Sequence, residues 1–159
     1  YPKTLNAAAT AAEVLASAGV DLPLPEAATV AYEDRAAAGR AIQEPLYGDE
    51  VEQVFSALPE PFNRVVPQLL TAGAFGEFET RDGLDVAMRE LISLVAIAAL
   101  GVAAQMRPHV AGAIRAGNSR QKVAAALVQA LPYIGGPYAL SGLVLVATYD
   151  ENDSSEAYR

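Results

Sequence analysis

The chain has 159 residues, enough for one domain with a substantial core. It is 52% hydrophobic and 19% charged, with a net charge of −8, which excludes disorder for its bulk and argues against nucleic acid and anionic membrane surfaces as partners. Cysteine is absent and there is one histidine, so disulfides, thiolate nucleophiles, cysteine metal sites and a multi-histidine metal site within one subunit are all excluded.

Alanine is the commonest residue, as in closely packed helices. Residues 5–18 read as an alanine-rich helix ending at Gly19, followed by the linker "DLPLPE" at 21–26. This N-terminal segment is expected to pack on the main body or on a neighbouring subunit. Helical pattern resumes over 27–42 and again over 49–58. "PEPFN" interrupts the chain before a helix over 64–75, with Pro67 in its first turn. "TRDGLD" is a turn in which Asp85 caps a helix running from Val86 to Leu100 and closed by Gly101. A further helix covers 103–116 and ends at Gly117; Ser119 caps the next, which reaches Leu131. "PYIGGP" breaks the pattern, and a last apolar helix fills 138–148 before a polar tail over 150–159. No alternation of strand period is present, so the fold class is all-α, with residues 1–26 an extension and 27–149 the main domain. The longest largely apolar run, 91–104, has 14 residues and is too short to span a bilayer. The chain begins at Tyr1, as expected of a trimmed or mature form, and a cytoplasmic location is expected, with a mature exported form as the alternative.

Two polar residues stand out on apolar helices. Glu90 has Val86 and Leu94 as its four-residue neighbours, so no cation on its own helix face neutralises it. It is either exposed on a first turn, where the helix dipole favours it, or buried with a tertiary partner. His109 shares a stripe with Met106, Val110, Ala113 and Ile114, which points it inward, either as a hydrogen-bonded core residue or as a site residue. Glu90 lies 11 residues before Gly101 and His109 lies 8 after it. The short turn makes the two helices antiparallel, and at about 1.5 Å per residue both side chains sit at similar depth, within about 5 Å. A carboxylate facing an imidazole fixes its tautomer and suits acid–base chemistry.

The order and spacing of "FGEF", "RDGLD", "REL", the apolar helix ending at Gly101, "HVAGAIRAGNS" and "YIGGP" resemble the carboxymuconolactone decarboxylase family over residues 62–145. That family shares the helical alkylhydroperoxidase fold. The resemblance implies an oligomeric helical bundle, expected as a homo-trimer or homo-hexamer, and places Glu90 and His109 on the Glu and His positions of the peroxidase array. Val102 and Gln105 occupy the two cysteine positions of that array, so the peroxidase branch has no nucleophile here. What remains resembles the decarboxylase branch, which needs no metal or organic cofactor. The implied reaction is decarboxylation of a small anionic carboxylated lactone of the 4-carboxymuconolactone type, with His109 as proton donor and Glu90 orienting it or acting as base. Arg81, Arg89, Gln105, Arg107 and Tyr133 are the candidates for holding the substrate. The alternative is a non-catalytic oligomeric binding or scaffold protein that kept the fold. The chain departs from the family pattern around the expected pocket: "FGEFETRDG" lacks the usual aromatic residue after "FG", "RQKV" replaces an acidic helix start, and Gly136 replaces a bulky ring.

Overall fold

The computed structural model describes residues 2–150. Among the described residues there are eight α-helices, a short 3-10 turn (Tyr32–Asp34) and a π-helical segment, and no strand, in keeping with the all-α reading. The helices are α1 (Pro2–Ser17), α2 (Arg35–Tyr47), α3 (Glu50–Phe55), α4 (Phe62–Leu69), α5 (Val86–Leu100), α6 (Ala103–Arg115), α7 (Arg120–Ile134) and α8 (Gly136–Thr148). The polar tail expected over 150–159 lies outside the described residues except for Asp150.

Helices α5 to α8 form the core. Leu94, Ala98, Val110, Ala113, Val123 and Leu127 meet in one fully buried cluster. Each large aliphatic side chain there contributes about 1.5–3 kcal/mol by leaving water. The start of α5 is held by Asp85, whose Oδ1 accepts from the Met88 amide at 2.8 Å. Its end is closed by Gly101 at φ +68°, against which the Tyr138 ring packs. The chain then reverses into α6, so α5 and α6 pack antiparallel over much of their length. Asn118 locks the other end of the pair: its Nδ2 donates to the Ala87 and Ala113 carbonyls at 2.8 and 2.9 Å. The Ser119 hydroxyl caps α7 as expected, accepting from the Lys122 amide at 3.2 Å.

Several expected boundaries are corrected. The helix expected over 27–42 begins only at Arg35 and continues to Tyr47. Ala27 and Thr29 instead run beside the loop before α5, where the Ala27 carbonyl accepts from the Asp82 amide at 2.9 Å and Thr29 Oγ1 donates to the Thr80 carbonyl at 2.5 Å. Helix α7 does not stop before "PYIGGP" but carries Pro132 within it to Ile134. Pro67 lies in the interior of α4, not in its first turn. Helix α1 buries none of its residues among the described residues, and packing on a neighbouring subunit stays as the other expectation for it.

The helix expected over 64–75 divides into α4 and a π-helical segment, Leu70–Phe78. The wider turn is visible in the Glu79 amide, which donates to the Ala74 carbonyl five residues back at 3.1 Å. This segment crosses α2 at unusually short range, glycine on glycine. A methyl group at Gly39 would overlap the Thr71 carbonyl oxygen, and one at Gly76 would overlap the Arg35 carbonyl oxygen. The crossing is reinforced by the buried pair Thr71 and Gln43, with Thr71 Oγ1 donating to Gln43 Oε1 at 2.6 Å. It brings the C-terminal end of α2 over the middle of α6.

Candidate functional site

Glu90 lies in the second turn of α5 and is 2% exposed. His109 lies midway along α6 and faces it across the antiparallel pair. Its Nδ1 is 3.5 Å from Glu90 Oε2, so the two side chains are brought together as their spacing from Gly101 predicts. Between them stands a residue that the pattern reading missed. Tyr47, the last residue of α2, is buried and sends its hydroxyl into the gap. The hydroxyl donates to Glu90 Oε2 at 2.6 Å and lies 3.0 Å from His109 Nδ1. The Tyr47 ring meets both His109 and Phe75 edge-on, at centroid distances of 5.6 Å.

The gap exists because α6 carries Gly112 one turn beyond His109. A methyl group there would overlap the Tyr47 hydroxyl and come within 2.9 Å of Glu90 Oε2. Arg115 fixes the end of α2 from the same helix, donating to the Leu46 carbonyl at 2.6 Å and pairing with Glu50 at 3.4 Å.

Hydrogen-bond direction follows from this geometry. With Glu90 ionised, the Tyr47 proton points to the carboxylate, and the phenol oxygen accepts from His109 Nδ1–H. The Nε2 position is then left for chemistry, as a lone pair on the neutral ring or as an N–H donor on the charged one. His109, with a quarter of its side chain exposed, opens onto a cavity of about 380 Å³. Its other walls include Tyr47, Phe55, Leu70, Phe75 and Gln105, so the chamber is apolar apart from one amide, one phenol and the imidazole.

Of the residues expected to hold the substrate, the structure places only Gln105 on this cavity. Arg81 bonds Glu77 at 3.2 Å and lies over the Phe78 ring. Arg89 turns away to donate to the Arg81, Asp82 and Leu84 carbonyls at 2.7, 3.2 and 3.0 Å, bracing the loop before α5. Arg107 is not on the cavity wall. Tyr133 is 82% exposed and lies on a different surface, an apolar groove between α5 and α7 of about 550 Å³.

A second carboxylate feels the charge of the pair. Glu79 follows the π-helical segment, where burial and then the charge of Glu90 push its pKa up to about 7, while Arg89 and His109 pull it the other way. Among the described residues, no group of three His, Asp or Glu side chains is arranged to hold a metal ion, and no helix is long and apolar enough to cross a membrane.

A carboxylate and a histidine paired across an antiparallel helix hairpin, beside a small apolar chamber, form an acid–base arrangement built without thiols. The model of the carboxymuconolactone decarboxylase family matches residues 65–148, more than half of the 159 residues, and the chain belongs to that family. Among curated proteins none matches this chain. Glu79, Glu90, Gln105 and His109 lie within the matched segment, whereas Tyr47 lies upstream of it.

Proposed function

We propose that the protein is a cofactor-free decarboxylase of a small carboxylated lactone of the 4-carboxymuconolactone type. The observation that carries this reading is the His109 ring, held at Nδ1 by Tyr47 and Glu90 while it opens onto the cavity. Cleavage of the bond to the carboxylate carbon releases carbon dioxide and leaves its electron pair delocalised through the conjugated lactone, which is itself the electron sink. A proton must then reach carbon. Charged His109 supplies it from Nε2, and the negative Glu90–Tyr47 pair behind the ring stabilises the charged form before transfer. Among the described residues the cavity wall carries no arginine, so the substrate anion meets His109 and Gln105 there. Desolvation in the apolar chamber favours the step in which the carboxylate charge is lost.

The same reading includes assembly into a homo-trimer or homo-hexamer. The groove formed by Met88, Ile92, Val95, Ala126 and Tyr133 supports it, as an apolar surface of the kind that oligomer contacts cover. Carbon dioxide release from a carboxylated muconolactone tests the activity. Wild type turns the substrate over, and His109→Ala loses about 10²–10⁴-fold in kcat. Full activity in His109→Ala would sink the proton-donor role, and absence of turnover by wild type would sink the substrate assignment. Sedimentation velocity tests the assembly, which a monomer at micromolar concentration would overturn.

A further inference from the structure

We propose that helix α1 is an arm that docks into the apolar groove between α5 and α7 of a second copy of this chain. The docking rests on the assembly reading given above and names the element that makes the contact.

The arm has a face to bury and nothing among the described residues that buries it. Leu5, Ala8, Ala9, Ala12, Leu15 and Ala16 recur at three- and four-residue spacing and form one apolar stripe. Lys3, Asn6, Thr10, Glu13 and Ser17 follow the same spacing on the opposite side. No residue of α1 is buried. An alanine-rich helix of 16 residues standing alone is only marginally stable in water, and most helical stability in proteins comes from packing such a face. The segment that follows carries the arm outward. Residues 18–26 separate α1 from Ala27, whose carbonyl accepts from the Asp82 amide at 2.9 Å in the loop before α5. Fully extended, that segment spans about 30 Å. Pro23 and Pro25 favour its extended backbone.

The groove offers a matching seat. Met88, Ile92 and Val95 form its α5 wall, and the α7 wall, from Lys122 to Tyr133, is built largely on alanine. Small side chains on both the stripe and the α7 wall let two helix axes approach closely. Leu5 and Leu15, the large residues of the stripe, are about 15 Å apart along α1, and the α7 wall from Lys122 to Tyr133 is about 16 Å long. An amphipathic helix laid there covers Met88 and Ile92, which are otherwise exposed. Charge agrees at the rim. Glu13 flanks the stripe, Lys122 stands at the edge of the groove, and neither side chain forms an ion pair among the described residues. An arm seated in the groove of its own protomer would have its stripe buried, and it does not. The groove open to it is a neighbour's.

The chain has no cysteine, so engineered pairs report contact without background. A disulfide needs Cα atoms within about 7 Å of each other. Mild oxidation of the double variants Ala9→Cys/Ala125→Cys and Ala12→Cys/Ala125→Cys, followed by non-reducing electrophoresis, is the test. None of these three alanines is buried, so the substitutions leave the core intact. At least one pair links most of the protein into covalent dimers or closed rings. Thr10→Cys/Ala125→Cys, from the polar side of the arm, and Ala125→Cys alone remain single chains. An internal disulfide within single chains seats the arm in its own groove and overturns the proposal. Covalent dimers from Ala125→Cys alone set groove against groove and overturn it too, as does equal linking through Thr10→Cys. A monomer in sedimentation velocity overturns the assembly reading and the docking together, whereas an oligomer in which neither pair links overturns the docking alone. The substrate plays no part in the measurement.

Discussion

Gly112→Ala sets two well-understood effects against each other. In the interior of α6, alanine is favoured over glycine by about 0.5–1 kcal/mol, because glycine loses more backbone entropy on folding. Against this, the added methyl group would occupy the space of the Tyr47 hydroxyl and lie 2.6 Å from Tyr47 Cζ and 2.9 Å from Glu90 Oε2. Overpacking a filled core costs about 1–3 kcal/mol. The cheapest relief is to push Tyr47 aside, which breaks a buried hydrogen bond to a carboxylate worth about 1.5–3 kcal/mol. Clash and broken bond are alternative outlets for one strain, so the larger of them, less the helix gain, leaves a net loss of about 1–2 kcal/mol. For a chain of this size that lowers Tm by roughly 2–8 °C. Urea unfolding followed by circular dichroism at fixed protein concentration measures it. Gly73→Ala is the matched control, because a methyl group there meets nothing within 4 Å. Gly112→Ala as stable as wild type, or more stable, would refute the close-packed picture of the site.

Tyr47→Phe removes the hydroxyl between Glu90 and His109 while keeping the ring, and should cost about 1.5–3 kcal/mol in the same urea assay, since Glu90 stays buried with its best donor gone. Glu79 gives the stability curve a defined slope. Its folded pKa, near 7, lies above its unfolded value, so the native state binds more protons between them. The stabilisation is present below about pH 4.5 and is lost as pH rises through about 7. Urea midpoints of wild type should therefore fall over that window relative to Glu79→Gln, and parallel curves would contradict the burial of its charge. Asp85→Ala should cost about 1 kcal/mol in thermal unfolding, because the Met88 amide at the start of α5 loses its acceptor.

The region from Val86 onward was legible because its signals are local and mutually consistent. Asp85 and Gly101 bracket α5 with a cap at one end and a left-handed turn at the other, and Ser119 does the same for the start of α7. From those bounds alone the equal depths of Glu90 and His109 follow. Tyr47 was not legible in this way. Its approach depends on the α2 crossing, set by Gly39, Gly76 and the π-helical turn, and helical periodicity over 64–75 does not distinguish a π-turn from an α-turn. Gly112 was a usable signal: a glycine one turn from the histidine inside a helix marks close approach of another group. The departure at "FGEFETRDG" puts Glu77, not an aromatic ring, directly after "FG", and that carboxylate holds Arg35 and Arg81. Arg81 and Arg89 were poor guides, because their guanidinium groups follow a nearby carboxylate and the loop carbonyls and not the cavity.

Tyr47 stands 18 residues upstream of the segment that defines the family, residues 65–148. The heritable unit and the chemical unit of this site therefore have different boundaries. A fragment trimmed to the family segment would retain the carboxylate and the imidazole yet lose the phenol that separates them, along with the helix on which the π-helical turn rests. Exchange of the upstream segment between family members would be enough to rewire the hydrogen bonds between Glu90 and His109 while leaving every residue of the matched segment unchanged.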